Sequence, residues 1–251
     1  MYYNMQVHSA YDLLNSTIKY ESLFSKLAKD NQQSVVIVDP NMYGAIKAHK
    51  QAKKAGINLI QGLEVSLGYG IGLLKFNLLC KTEKMFYKLL EISTKFMNGE
   101  EWTVEDFAND MIDYREDFVL IVVDELRDSM EFSYLKNLLS KYDFYFGFNE
   151  SFQVGLYSDY DNIVYTKPSF YLNKEYYQQV IVSRAIRDNK KLNIQELTTI
   201  SGEDFVREQK DFEEILALGD EELYAIFERS FANQKLIIDS CKYELNFSGY
   251  H

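Results

Sequence analysis

Three residues, His8, Asp39 and Glu64, have the types and the placing to do chemistry together. Each follows a run with strand character: His8 after Tyr2–Val7, Asp39 after Ser34–Val38 and Glu64 after Ile57–Leu63. In parallel α/β folds, side chains at successive strand ends meet at one rim of the sheet. An imidazole and two carboxylates meeting there could hold one divalent ion and activate water on it. The ordinary alternative is structural: Asp39 caps a helix beginning near Asn41, Glu64 pairs with a nearby lysine, and His8 is satisfied in a turn.

The rest of the inventory narrows the chemistry. There are three His (His8, His49 and His251) and two Cys (Cys80 and Cys241) in 251 residues, so a His-rich metal site is excluded on counting. The two distant cysteines make neither a metal spacing nor a disulfide framework, and a reducing cytoplasm is the expected setting. Met1 to Asn4 lack the basic flank and apolar stretch of a signal peptide. No apolar run approaches the length of a membrane span, so no membrane association is expected. A net charge of −11, from 38 acidic against 27 basic side chains, argues against a chain that grips nucleic acid through its own field.

Other features read as architecture. Gly68-Tyr69-Gly70-Ile71-Gly72 follows a strand without opening a helix, which fits a hairpin turn and not a phosphate cradle. Tyr142 to Phe148 is aromatic but lacks interleaved Lys or Arg, so it reads as core strand and not as a base-stacking platform. Lys47, His49, Lys50, Lys53 and Lys54 fall opposite an alanine stripe and read as a solvated helix face. Ser9 has no base beside it other than the adjacent His8, which is a poor arrangement for nucleophilic catalysis.

The elements that must position these residues alternate between strand and helix. Ser34–Val38 reads as a strand, followed by a helix from Met42 to Ala55 with Ala45, Ala48, Ala52 and Ala55 on one face and Gly56 as its stop. Ile57–Val65 and Phe76–Cys80 read as strands, Thr82 caps a helix to Phe96, and Thr103 with Asp106 forms a capping box for a short helix to Met111. Phe118–Val123, Phe144–Phe148 and Asn162–Thr166 read as further strands, with a helix at Glu131–Lys141 between the first two. Helices are expected at Lys174–Asp188, Glu203–Gln209 and Glu221–Cys241. Strands that are continuously apolar predict a parallel sheet covered by helices, in a distorted barrel formed by one domain over residues 1–251.

At these positions the sequence resembles a family. Gln6-Val7-His8-Ser9-Ala10-Tyr11-Asp12-Leu13-Leu14 is similar to the opening HxHSxYSLL of the PHP (polymerase and histidinol phosphatase) domain of the bacterial DNA polymerase III alpha subunit. Val38 to Gly44 resembles TDHGNLFG, Lys53–Ile57 with Gly62–Val65 resembles KKAGIKPIIGCEV, and Leu78–Lys81 resembles LLAK. Thr166 to Asn173 and Ala185-Ile186-Arg187 continue the likeness, as does the ending Tyr243–His251. The resemblance implies a distorted TIM-like (β/α)7 barrel and a chain that is the N-terminal part of a larger polymerase. It also implies an ancestral cluster of metal ions held by His, Asp and Glu from these motifs.

The departures fall on that ligand set. Gln6 stands where the resemblance places the first His, Pro40 where it places the His of the second motif, and Pro168 and Phe170 in a third motif that would supply two more ligands. His8, Asp39 and Glu64 are the remnant, too few for a multinuclear hydrolytic centre. The expectation is therefore a non-catalytic, scaffolding domain with no cofactor of its own, the magnesium chemistry belonging to a palm domain elsewhere in the polymerase. Its implied partners are the palm and thumb, a proofreading exonuclease or other replisome proteins, and DNA through the full-length enzyme. The alternative is a residual phosphoesterase, a pyrophosphatase or 3′–5′ exonuclease, working with the three remaining ligands.

Overall fold

The structure is a computed structural model that describes residues 1–124, 126, 129–149, 154–193, 202–217, 219 and 221–245. Six strands form one sheet in sequence order: β1 (Ser34–Asp39), β2 (Asn58–Tyr69), β3 (Gly72–Cys80), β4 (Phe118–Val122), β5 (Phe144–Phe148) and β6 (Ile163–Tyr165). The helices are α1 (Tyr20–Lys29), α2 (Ala45–Ala55), α3 (Glu83–Met97), α4 (Val104–Asp110), α5 (Ser129–Leu138), α6 (Val154–Tyr157), α7 (Tyr177–Arg187), α8 (Gln209–Ala217) and α9 (Glu221–Ser240).

Local chemistry explains most boundaries. Thr82 accepts from the Met85 amide to start α3, and Thr103 and Asp106 form the expected reciprocal box at α4. Gly56, at φ 68°, closes α2 in the left-handed conformation that a side chain disfavours. Ala45, Ala48 and Ala52 are buried, so α2 lies close to the sheet, while Lys47, Lys50, Lys53 and Lys54 stay exposed. His49 departs from that outer face: it packs edge-on to Phe86, with Tyr243 Oη 3.4 Å from its Nε2.

The sheet is mixed, which corrects the expected parallel arrangement. β1–β2, β4–β5 and β5–β6 are parallel, but β2–β3 and β3–β4 are antiparallel. The cause is the turn at Tyr69–Gly72, where Gly70 takes φ 56° and sends the chain straight back as a hairpin instead of through a crossover helix. Tyr2–Val7, expected as a strand, enters no ladder. Val7 makes single parallel bridges to Ile37 on one side and Ser169 on the other. The expected helix at Glu203–Gln209 begins only at Gln209, because Phe205 is drawn into a bridge with Tyr171. α1 was not expected from the sequence, and residues 246–251 of the family-like ending lie outside the described residues.

One face of the sheet converges on a single core. Val36, Val38, Ile60, Leu79, Val119, Ile121 and Val164 belong to one buried cluster with Tyr3 and Met5, and Tyr145 packs against it. Val7 bridges to Ile37 on β1 and also to Ser169, just beyond β6, so the sheet curls to bring its two sides together around this core. Closure rests on these isolated bridges of Val7, to Ile37 on β1 and to Ser169 past the end of β6, and not on a continuous ladder. The fold is thus a curled half-barrel, and the full seven-unit barrel is not formed by regular pairing. The last turn of α9, with Ile237, Ile238 and Cys241, packs into the same interior. Among the described residues no helix is long and apolar enough to cross a membrane.

Candidate functional site

The curl places His8, Asp39 and Glu64 at the same end of the barrel. β1 ends at Asp39, whose pairing partner is Leu63, one residue before Glu64. His8 is held beside them because its amide donates to Ser169 O at 2.9 Å and Val7 donates to Val36 O at 3.0 Å. The sequence expectation that the three gather at one rim is met in position.

Their side chains, however, are turned to other work. Asp39 accepts from the Ser9 amide at 2.6 Å and from Ser9 Oγ at 2.5 Å, so both of its oxygens serve the N-terminal loop. Tyr20 Oη sits 3.1 Å from the same Ser9 hydroxyl. Asp39 is 2% exposed, and burial pushes its carboxyl up to about 6. It does not cap the following helix; Gly44 is the N-cap of α2.

His8 is 1% exposed, with Nδ1 3.1 Å from Asp12 Oδ2 and Nε2 3.7 Å from Glu64 Oε2. Neither nitrogen has an aligned hydrogen bond, so both contacts are electrostatic. Burial opposes the charged ring, but Asp12, Glu64 and Asp39 outweigh it and hold the imidazole above its ordinary range. Asp12 shifts the other way. Its burial is outweighed by His8, the Asn15 amide and Arg184, which keep the carboxyl below its ordinary range. Phe170 stacks on the His8 ring at 4.6 Å between centroids, and the Arg184 guanidinium lies 4.4 Å from the centre of the Phe170 ring.

Glu64 is met from three directions. Gln6 Nε2 donates to its Oε2 at 3.4 Å, Lys75 Nζ lies 3.6 Å from its Oε1, and His8 approaches as above. Asn77, its cross-strand partner on β3, is fully buried, and neither polar atom of its amide finds a hydrogen-bond partner in the protein. Pro40 is exposed at the end of β1 and does not enter the cleft; Pro168 is partly buried, two residues before Phe170.

A metal ion fits this donor set poorly. Among the described residues no group of three or more His, Cys, Asp or Glu side chains converges so as to hold one. Asp39 is bound on both oxygens by Ser9, and protein cations already approach Glu64. Sequence reasoning missed Asp12, Ser9, Tyr20 and Arg184 as parts of the site. The His8/Asp12 spacing was a readable signal; the long-range contacts to Arg184 and Phe170 were not.

Comparison with known proteins gives the chain's kinship. Residues 4–138 match the family model for the PHP domain. Three curated relatives are DNA polymerase III alpha subunits. That of Ureaplasma parvum is 34% identical over 114 residues, covering 45% of this chain and 11% of the relative. That of Staphylococcus epidermidis is 24% identical over 230 residues, covering 84% of this chain and 21% of the relative. That of Bacillus subtilis is 38% identical over 95 residues, covering 36% and 8%. The chain thus spans at most about a fifth of these relatives' length. A solved structure of a candidate metal-dependent phosphoesterase from Bifidobacterium adolescentis aligns at TM-score 0.42 and 10% identity, covering 87% of this chain and 96% of that one. With over half of its residues matched by the family model and His8, Asp39 and Glu64 at one rim of a curled sheet, the chain belongs to the PHP domain family.

Proposed function

We propose that this chain is a non-catalytic PHP domain, the N-terminal part of a DNA polymerase III alpha subunit, and that it scaffolds the polymerase. The observation that carries the reading is the double hold of Ser9 on Asp39 at 2.6 and 2.5 Å, which turns the best-placed carboxylate from a ligand into a fastener. Phe170 covers one face of His8, and Asp12, Glu64 and Lys75 balance charge around it without an added ion. Polar groups so engaged stabilise a loop and leave few lone pairs for a cation. The remaining polymerase domains and DNA are the partners that kinship with the alpha subunits supports.

The test is metal analysis of the tag-free protein together with an assay on pyrophosphate and on single-stranded DNA. Absence of stoichiometric zinc or manganese, with no hydrolysis above the Glu64→Ala variant, supports the proposal. Stoichiometric metal with hydrolysis that Glu64→Ala abolishes overturns it in favour of a residual phosphoesterase. The close approach of His8 Nε2 to Glu64 is what favours that second reading.

A further inference from the structure

Beyond the remnant site, the β2–β3 hairpin continues past the barrel and carries its inner face with it. Register pairs Glu64 with Asn77, then Ser66 with Lys75, then Gly68 with Leu73. Because side chains alternate along a strand, these residues share one face that changes outward from polar to apolar. At its far end Leu73 is 67% exposed, and the tip residue Ile71 is fully exposed.

Ser66, Gly68 and Leu73 of the hairpin form one wall of a groove of about 500 Å³. The opposite wall is the link between α3 and α4, with Phe96, Trp102, Glu100 and Glu101. The Gly68 amide donates to Trp102 O at 2.7 Å, so the two walls are fixed to each other before anything binds. Contiguous exposed apolar surface with a polar rim marks a contact site more often than chance.

The charge around the groove selects its occupant. Glu100 and Glu101 are exposed, and no described cation pairs with either. From Glu100 to Asp117 the sequence holds eight carboxylates against one basic residue, Arg115. Trp102 already carries a cation: Lys95 Nζ sits 5.2 Å from its ring centre. An apolar floor, an aromatic face that accepts cations and a carboxylate rim together suit a segment with apolar anchors flanked by Lys or Arg. A polyanion or an acidic segment would be repelled.

We propose that this groove docks a basic, apolar-anchored peptide segment of a partner protein. The probe is a fluorescein-labelled synthetic peptide with a central Leu-Phe flanked by lysines, titrated by anisotropy against the whole protein at physiological salt. Glu100→Lys with Glu101→Lys, which reverses two rim charges, is expected to weaken binding about tenfold or more. Leu73→Ser is expected to weaken it by a similar factor, while a peptide with Ser in place of Leu-Phe binds no variant tightly. The control reverses an equal charge elsewhere, Glu213→Lys with Glu214→Lys on α8, and should change affinity less than about threefold. Circular dichroism melts confirm that each variant folds. Equal loss for the groove and control pairs overturns the proposal, as that is non-specific attraction to an acidic protein. Failure of the peptide to bind also overturns it, and so does concentration-dependent dimerisation abolished by Leu73→Ser, which would make a second copy the occupant.

Discussion

Ser9 grips Asp39 at both carboxylate oxygens, through its amide at 2.6 Å and its hydroxyl at 2.5 Å, and both residues are buried. The loop from His8 to Ser16 is thereby fastened to the end of β1. Ser9→Ala keeps the amide bond but strips the hydroxyl that also meets Tyr20. It is expected to destabilise the protein by about 1–3 kcal/mol, the cost of a charged buried acceptor losing a donor. Urea unfolding at neutral pH checks this; a loss below about 0.5 kcal/mol would show that the fastening is not energetically important.

Gly44→Ala tests the same corner from the other side. Gly44 has an ordinary φ of −88°, so backbone strain is not the issue. A Cβ there would collide with the Tyr20 hydroxyl and the Tyr11 ring, which pack against the start of α2. The expected result is a loss of about 1–3 kcal/mol by overpacking. An unchanged melting temperature would mean that Tyr11 and Tyr20 move aside freely.

Acid destabilisation should trace to His49, against Asp39 and His8, whose raised affinity for protons in the native state acts in the opposite direction over the same pH range. Burial lowers the His49 pKa to about 4, below the unfolded value of 6.5. The native state therefore refuses a proton that the unfolded chain accepts between those pH values. Stability from this group is complete above 6.5 and is lost as pH falls towards 4, by roughly 2 kcal/mol between pH 7 and 5. Urea unfolding of the protein and of His49→Gln at the two pH values tests the assignment. The stability of the variant relative to the parent should rise by roughly 2 kcal/mol on going from pH 7 to 5, and an identical pH dependence in both would assign the loss elsewhere.

Asn77 presents the opposite case, a buried amide with no partner in the protein. Asn77→Leu keeps a similar shape and removes two unsatisfied polar atoms. The variant is expected to gain about 1 kcal/mol, read by chemical unfolding. A clear loss of stability would show that the amide has a partner in solution.

How much could be read from the sequence depended on the range of the interaction. The caps at Thr82 and Thr103 and the stop at Gly56 act within a few residues, and all three stand in the structure. The hairpin read at Gly68–Gly72 already required β3 to run antiparallel to β2, but the apolar Leu and Phe of β3 look the same whichever way the chain runs, and the sheet as a whole was read as parallel. α1 has apolar residues Tyr20, Leu23, Phe24 and Leu27 at helical spacing, but Lys19 offers no side-chain cap to announce its start. Of the site, the gathering of His8, Asp39 and Glu64 was legible, but strand ends are not its basis: only Asp39 ends a strand, Glu64 lies inside β2, and His8 follows a segment that joins no ladder. Their engagement was not legible, since Phe170 and Arg184 reach His8 and Asp12 across more than 150 residues of chain, and sequence patterns carry no such distance.

The single bridges at Val7 impose an order of events. Val7 needs Ile37 and Ser169, and Asn4 Nδ2 donates to Arg207 O, 203 residues further along. During synthesis the segment around Asn4 and Val7 emerges well before Ser169 and Arg207, the partners it bridges and bonds. That segment must stay in waiting, its apolar Met5 and Val7 uncovered, and the rim containing His8 is assembled only when the chain closes on itself.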